Sequence, residues 1–376
     1  MYPFSEGSFA PRNGWYVAAF AHEIGRTLMA RTILGEPVVL YRTQDGAAVA
    51  VGGRCPHRHF PLAQGCLAGD AIVCGYHGIA FAADGACIDI PSQDVIPRSY
   101  RIPVFPLVEH GMWAWIWLGD PALADPALLP DLVEIGFAGH DSTPVPLFFR
   151  EVACRYQLLN DNLLDLTHLA FLHGTSIGVR ENASTPVEVT QERHVIRGRR
   201  YITAAPPTPV IAARHPGVDR VDQIVGMDFH LPGFHAGIGD HAVAADAPDR
   251  ACEPLQRSRV FHAVTPSTRD SCYYWFGMVS LGDQIDAEAA RERLDPVIDE
   301  DVVASEAIEK MLALVGESVP ELMLRSDQLA VQGRRMLQAM MDAERATAND
   351  TGADASAPAG SRRAEMATIE GTDPAR

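Results

Sequence analysis

The chain has 376 residues, 47% hydrophobic and 21% charged, a composition typical of a globular protein long enough for two domains. Its formal net charge of -17 argues against a nucleic-acid partner, which would require a basic surface. Neither a signal peptide nor an apolar stretch of membrane-spanning length is visible, so we expect a cytoplasmic protein with no membrane partner.

Short strand patterns separated by turn residues fill residues 12–120. Strands are predicted at 15–18 and 37–41, and a turn at 44–46. An apolar segment of alternating bulk, 112–118, closes this unit. The pattern predicts a small all-β domain over 12–120.

Two loops of this predicted domain each carry one cysteine and one histidine. Cys55 and His57 belong to the first loop and Cys74 and His77 to the second, with the spacing C-x-H-x16-C-x2-H. Mixed pairs suit a Rieske-type [2Fe–2S] cluster, in which two thiolates bind one iron and two imidazoles the other. Zinc is an alternative, although zinc sites usually use C-x2-C or H-x3-5-H pairs. Unrelated buried thiols and histidines are a third interpretation.

A second group of candidate ligands follows a Pro- and Asp-containing linker. The helical pattern over 156–172 leads into D-x2-H-x4-H, formed by Asp165, His168 and His173. Two histidines and a carboxylate form the facial triad of non-haem Fe(II) oxygenases. Residues five apart on a helix point about 140° apart, so the helix must end or bend before His173, with His173 and Gly174 as its expected end. Two unrelated surface histidines are the alternative interpretation.

Asp165 lies one helical turn before His168. On a continuous helix its side chain would be on the same face, so we expect it to orient the imidazole.

The third iron ligand is expected among three successive acids that open an amphipathic helix pattern. Spacing alone does not choose between Asp299, Glu300 and Asp301. A run of acids near a helix N-terminus is the alternative interpretation, because it is favourable with the helix dipole.

The C-terminal two thirds of the chain mix strand and helix patterns. Strands are predicted at 188–206, 224–237, 258–265 and 271–280, and helices at 287–315 and 326–344. These patterns predict a second, larger domain over 121–345. Residues 346–376 lack an apolar period and are predicted to be a disordered tail.

Together these motifs resemble the terminal oxygenase component of Rieske non-haem iron oxygenases. CPHR, CGYHG and NLLDLTHLAFLH carry the resemblance, with NGWYVA, ADPALLPDL and VTPSTRDSCYYWFG in support. It covers roughly residues 10–345 and is strongest to the vanillate O-demethylase and dicamba monooxygenase group. The resemblance implies an α+β fold, with a small all-β Rieske domain and a larger catalytic domain. In that catalytic domain an antiparallel sheet is flanked by helices in a helix-grip-like arrangement.

The resemblance also implies roles for individual residues. Those that match ligands of the family are Cys55, His57, Cys74 and His77 for the [2Fe–2S] cluster, and His168, His173 and Asp301 for the mononuclear Fe(II). Asp165 matches an acid that joins an iron histidine to a cluster histidine of the neighbouring subunit, which implies a homotrimer. Asn162 and His262 match substrate-pocket positions. Glu292 stands near the place of a pocket tryptophan of the dicamba-type enzymes, which argues against a dicamba-like substrate.

The implied function is hydroxylation of a small aromatic substrate with O2, most simply the oxidative O-demethylation of a methoxy-aromatic acid. No flavin, nicotinamide or plant-type ferredoxin motif is present, so a separate reductase or ferredoxin is expected to deliver electrons from NAD(P)H. Ring hydroxylation or dihydroxylation and N-demethylation are alternatives on the same machinery. A Rieske electron carrier or a structural zinc protein are alternatives of other classes, but they leave His168 and His173 without a purpose.

Overall fold

The computed structural model of the protein describes residues 9–248, 250–316 and 319–350. Most of the tail predicted for 346–376 therefore lies outside the described residues. Within them the chain forms an N-terminal part with three small antiparallel sheets and a C-terminal part built on one large antiparallel sheet.

The N-terminal part consists of short strands. They are β1 (Trp15–Phe20), β2 (Met29–Ile33), β3 (Glu36–Arg42), β4 (Ala48–Gly52), β5 (Cys66–Ala68), β6 (Ala71–Val73), β7 (Ala80–Phe81), β8 (Cys87–Asp89), β9 (Leu107–His110) and β10 (Trp113–Trp117). Their sheets have the orders β1-β10-β9, β2-β3-β4 and β5-β6-β7-β8. The first Cys–His loop lies between β4 and β5, and the second joins β6 to β7.

The C-terminal part contains a seven-stranded sheet of order β11-β17-β16-β15-β14-β13-β12. Its strands are β11 (Val145–Val152), β12 (Glu188–Glu192), β13 (Val195–Ala205), β14 (Val221–His230), β15 (Phe234–Val243), β16 (Pro254–Thr268) and β17 (Ser271–Ser280). All the pairings are antiparallel, so residues directly opposite one another form rows across the sheet.

Helices cover one side of this sheet. They are α1 (Tyr156–Leu164), α2 (Glu181–Ser184), α3 (Pro209–Arg214), α4 (Ala287–Val315) and α5 (Gln328–Asp350). The long α4 begins where the Asp286 side chain accepts hydrogen bonds from the backbone N–H groups of Glu288 and Ala289, at 3.0 and 3.2 Å. No helix in the described ranges has the length and apolar character needed to cross a membrane.

One hydrophobic core joins β1 and β10 to the large sheet. Both strands are buried along their whole length because the large sheet covers them, and Trp113 packs edge-on against Phe234 with 5.1 Å between ring centroids. The Thr265 hydroxyl donates to the carbonyl of Val17 at 2.7 Å. A separate, smaller core lies beneath the Cys–His loops and includes Cys55 and Cys74. The part of the chain beneath the Cys–His loops is therefore a packing unit of its own, whereas β1 and β10 pack with the seven-stranded sheet.

The described elements differ from the sequence pattern in four places. The single strand predicted at 188–206 is the hairpin β12–β13, and the one at 224–237 is divided between β14 and β15. The helix predicted over 156–172 ends at Leu164. The last helix continues to Asp350, so the first residues assigned to the tail are helical.

Candidate metal centres and the adjoining cavity

The two Cys–His loops share one backbone geometry. In the first loop the N–H of His59 donates to the carbonyl of Cys55 at 2.9 Å, and in the second Gly78 donates to Cys74 at 3.0 Å. His59 and Gly78 both take positive φ, 61° and 72°. Each cysteine therefore starts the same tight turn, which places a histidine two or three residues later at the loop surface.

The four side chains divide into an inner pair and an outer pair. Cys55 and Cys74 are both 1% exposed, and burial raises the pKa of the Cys55 thiol with Cys74 as a close neighbour. His57 and His77 are exposed, and their rings lie 4.6 Å apart between centroids. The loops thus bring all four predicted ligands together, with the thiols against the core and the imidazoles towards the surface.

This donor set fits a two-iron cluster better than a single zinc ion. One zinc binds every ligand atom at about 2.0–2.3 Å, so those atoms would all lie close to one another. In the described part of the chain, the only three such ligand atoms that lie within 4.8 Å of one another belong to His168, His173 and Asp301. The cysteines and histidines of the loops are spread more widely, as ligands of two separate irons are.

The second centre forms where α1 ends. Asp165 caps the helix, and its carboxylate accepts hydrogen bonds from the N–H and hydroxyl of Thr167 at 3.0 and 2.7 Å. This turn starts a short 3-10 segment at His168. Because the chain leaves the helix here, the rings of His168 and His173 converge, with centroids 5.1 Å apart. The predicted break before His173 is present, but it comes at Leu164 and not at His173.

Helix α4 supplies the third group of this centre. Asp301 is 5% exposed, and its Oδ1 lies 3.0 Å from Nε2 of His173 and 3.5 Å from Nε2 of His168. Asp299 instead pairs with Arg150 at 3.2 Å. The structure therefore separates the three acids that the sequence left open, and only Asp301 faces both imidazoles.

Glu300 contacts the opposite nitrogen of one imidazole. Its Oε2 lies 2.6 Å from Nδ1 of His173. Burial would lower the pKa of His173, but hydrogen bonds and charges from Asp301 and Glu300 outweigh it and raise that pKa. Burial lowers the pKa of His168. Because a metal binds only neutral imidazole, a raised pKa at His173 makes protons compete with iron as the pH falls.

Replacement of Glu300 by glutamine is expected to weaken iron binding about 10- to 100-fold, because a carboxylate that orients a ligand histidine also increases its basicity. Iron titration of cluster-containing protein measures the effect. Asp299→Asn is the matched control, since Asp299 contacts Arg150 and no imidazole. Unchanged iron affinity in Glu300→Gln would show that the contact with His173 does not support the ligand.

Asp165 orients His168 differently from the expectation. The group that contacts Nδ1 of His168 is the backbone carbonyl of Asp165, and the carboxylate is occupied with Thr167. The expectation assumed a helix that continues through His168, whereas the helix has already ended.

Asp165 also stabilises a buried cation, Arg200. Burial lowers the pKa of Arg200, and the negative charge of Asp165 raises it by a smaller amount, so Asp165 offsets part of the cost of burying this guanidinium.

The two predicted pocket residues have different surroundings. The side-chain amide of Asn162 donates to Oδ1 of Asp301 at 3.1 Å, so this residue supports a candidate ligand. His262 lines the cavity beside the centre, with Nδ1 2.7 Å from the Tyr274 hydroxyl. Burial lowers the pKa of His262 to about 4, so the ring is neutral at physiological pH.

A cavity of about 570 Å³ opens from the three candidate iron ligands. Its floor is the face of β14 to β17, and α4 forms a wall. Apolar side chains such as Leu163, Met227 and Phe276 surround the end near His168. The volume lies within the range of about 300–1,000 Å³ typical of sites for small organic molecules.

The sequence interpretation missed the orienting contact of Glu300 and the polar side chains at the far end of this cavity. Gln223 is one of these polar side chains, and it shares a face of β14 with the apolar Val225 and Met227. The sequence therefore showed a strand with one polar position on that face. Which neighbours they meet depends on strand register, which the sequence alone did not give.

Two family descriptions match the chain. Residues 14–106 match the Rieske [2Fe-2S] domain, and residues 152–343 match the vanillate O-demethylase oxygenase C-terminal domain.

Curated relatives extend over almost the whole chain. The dicamba O-demethylase oxygenase component of Stenotrophomonas maltophilia is 34% identical over 89% of this chain and 99% of that protein. The toluene-4-sulfonate monooxygenase system iron-sulfur subunit of Comamonas testosteroni is 35% identical over 89% and 97%. The vanillate O-demethylase oxygenase subunit of Pseudomonas sp. (strain HR199 / DSM 7063) is 31% identical over 90% and 97%.

Solved structures show the same architecture. The crystal structure of dicamba monooxygenase bound to dicamba superimposes with a TM-score of 0.78 at 31% identity, covering 89% of this chain and 98% of that one. The predicted α+β fold, with a small Rieske domain and a larger domain on an antiparallel sheet, is thereby confirmed.

Proposed function

The chain belongs to the Rieske non-haem iron oxygenases, in the group of vanillate O-demethylase and dicamba monooxygenase, and we propose that it O-demethylates a methoxy-aromatic acid. It is a terminal oxygenase component with a [2Fe–2S] domain and a non-haem iron domain. The observation that carries the proposal is the group His168, His173 and Asp301 at the apolar end of the cavity.

The residues present fit both metal groups. Cys55 and Cys74 would supply the thiolates of the cluster, and His57 and His77 its imidazoles. The ligands of the mononuclear iron would be His168, His173 and Asp301. When bound, the cluster relays single electrons and the mononuclear iron activates O2.

The chain's own residues position the substrate and keep the ligands in place. Asn162 and Glu300 hold Asp301 and His173 through hydrogen bonds of 3.1 and 2.6 Å. The apolar lining near His168 excludes water from the reacting methyl group. His262 keeps Nδ1 against Tyr274, so Nε2 is the ring nitrogen that a substrate oxygen can reach as a hydrogen-bond partner.

A separate reductase or ferredoxin supplies electrons from NAD(P)H, as expected for oxygenase components of multicomponent systems. His57, His77 and the 52% exposed Tyr76 lie at the surface of the single chain, so electrons can enter and leave the cluster there. We further propose a homotrimer, in which Asp165 of one subunit approaches a cluster histidine of the next. Exposure of these histidines and the approach of Asp165 to the second centre support that arrangement. The cytoplasmic location stays a prediction.

Formaldehyde release from methoxybenzoates tests the proposed function. The chain itself is expected to contain about three irons, two in the cluster and one mononuclear. Its activity is measured after a reductase has been added. With ¹⁸O2 the label should appear in formaldehyde, and the phenol should keep its original oxygen. Label on the ring would indicate ring hydroxylation, and release from N-methyl substrates alone would indicate N-demethylation. About two irons and no product would indicate an electron carrier.

A further inference from the structure

The floor of the cavity changes in polarity with distance from the candidate iron ligands. Residues opposite one another on β14 to β17 form rows, and successive rows on one face are two residues, or about 7 Å, apart. The row at the iron end contains His262 and Phe276, which are directly paired. The next row is apolar: Met227, Gly237, Val260 and Met278.

The row farthest from the iron end is polar. Gln223 pairs with His241, and His241 pairs with Gln256. All three line the cavity. Gln256 is six residues from His262 along β16, which is about 20 Å of extended strand. The cavity therefore leads from an apolar end at the iron ligands to a polar end at this row.

Two of these side chains have polar atoms without partners. Oε1 of Gln223 and Nδ1 of His241 are buried and make no hydrogen bond in the described structure. Gln223 is 2% exposed, so its carbonyl cannot turn towards bulk water. Burial lowers the pKa of His241 to about 4, and the neutral ring keeps one N–H donor. Buried polar groups are normally satisfied, so a ligand or water at this end is expected to contact them.

Two arginines stand beside the polar row. Nη1 of Arg214, at the end of α3, donates to Oε1 of Gln256 at 3.0 Å. Arg293 lies on α4, eight residues or about 12 Å before Asp301, and also lines the cavity. The Arg293 side chain has no ion pair or hydrogen bond among the described residues. Partial burial of its guanidinium lowers the pKa of Arg293, and the charge of Arg214 lowers it further, so two cations act on one side of the cavity.

The acids at this end do not neutralise the arginines. Asp286 uses its carboxylate to cap α4. Asp283 also lines the cavity, but neither acid forms an ion pair with Arg214 or Arg293 in the described ranges. Two like charges near each other are unfavourable unless an anion lies between them.

We propose that Arg214, Arg293, Gln223, His241 and Gln256, here called the distal polar group, bind a carboxylate or sulfonate at the far end of an elongated aromatic substrate. The inference rests on the proposed function only in placing the methoxy group at His168 and His173. A substrate of one ring with its methyl group at the iron is too short to reach the polar row of Gln223, His241 and Gln256. The preferred substrate class is therefore a longer aromatic acid with methoxy and anionic groups at opposite ends.

Isothermal calorimetry on the metal-loaded protein without O2 tests this proposal. The probes are 4'-methoxybiphenyl-4-carboxylate and its neutral primary amide, which have the same shape. The unaltered protein is expected to bind the acid at least about tenfold more tightly than the amide, because charge-assisted hydrogen bonds are the stronger ones. In the double variant Arg214→Gln with Arg293→Gln, acid affinity should fall to that of the amide, while amide affinity stays the same.

Arg257→Gln is the matched control. Arg257 follows Gln256 on β16, so its side chain projects from the opposite face of the sheet, and the variant changes the net charge by the same amount per substitution. Its preference for the acid should be retained. The proposal is overturned by equal affinity of the unaltered protein for both probes, by no binding of either, or by a preference that survives in the double variant. An equal loss in Arg257→Gln also overturns it.

Failure here is distinguishable from failure of the proposed function. Formaldehyde release from one-ring methoxybenzoates together with equal binding of acid and amide would overturn the proposed role of the distal polar group and support O-demethylation. Arginine-dependent binding without formaldehyde release from any methoxy substrate would support the distal polar group and overturn O-demethylation. Thermal unfolding of each variant checks that exposed Arg214 and Arg293 are not needed for the fold.

Discussion

Replacement of Asp301 by alanine is expected to remove the mononuclear iron and abolish turnover, while the visible spectrum of the [2Fe–2S] cluster is unchanged. Asp301 is the only anionic member of the ligand group, and its Oδ1 lies 3.0 Å from His173 and 3.5 Å from His168. Two neutral imidazoles alone bind Fe(II) weakly because a carboxylate supplies both charge and a third ligand. The cluster loops belong to a separate small core, so their spectrum should not respond.

Two variants of neighbouring acids serve as controls for Asp301→Ala. Asp299→Ala breaks only the pair with Arg150 and should retain iron. Glu300→Gln should retain part of it, because Glu300 contacts His173 at Nδ1 and leaves Nε2 free for a metal. Iron is measured by metal analysis after desalting, beside the cluster absorbance. Iron retained in Asp301→Ala at the level of the unaltered protein would move the third ligand to Asp299 or Glu300.

The cluster loops were predictable from the sequence because their geometry is local. Each cysteine is followed four residues later by the residue that closes the turn, and a glycine suits that position in the second loop. Nothing distant is needed to place a histidine beside the cysteine. Only the approach of the two loops to one another depends on the tertiary fold, and their matching Cys–His content already suggested that approach.

The candidate for the third iron ligand could not be chosen from the sequence, because the choice depends on how α4 rotates against α1. Successive residues on a helix point about 100° apart, so three adjacent acids face three directions. The structure turns Asp299 towards Arg150, Glu300 towards one nitrogen of His173 and Asp301 towards the other. That rotation is fixed by tertiary packing, which a run of acids does not encode.

The hairpins of the large sheet were missed for different reasons. Between β12 and β13 the turn contains Arg193 at a φ of 49°, and no glycine or proline marks it. Between β14 and β15, Pro232 and Gly233 do mark the turn, and the predicted strand wrongly ran through them. Turn residues could not predict the polar row of the cavity, because its membership depends on the register of three strands at once.

Replacement of Asp165 by asparagine should leave both metals bound and nevertheless reduce turnover by about 100-fold, which corresponds to a rise of about 2.7 kcal/mol in the activation free energy. The metals should stay because His168 is held by the backbone carbonyl of Asp165, which the substitution does not alter. Asparagine can also accept the hydrogen bonds from Thr167 and preserve the turn. What is lost is the negative charge between the two centres of the proposed trimer.

A single-turnover experiment separates this loss from a structural one. Cluster-reduced protein is mixed with substrate and O2, and product is measured beside cluster absorbance, iron content and thermal unfolding. Thr167→Val is the control, because it removes the hydroxyl bond to Asp165 and keeps the carboxylate. It should retain most of the product yield. Arg200 makes the unfolding measurement necessary, since Asp165 offsets part of the cost of burying that cation. Full turnover in Asp165→Asn would refute the assignment of Asp165 to electron transfer between subunits, because the negative charge of its carboxylate would then be dispensable.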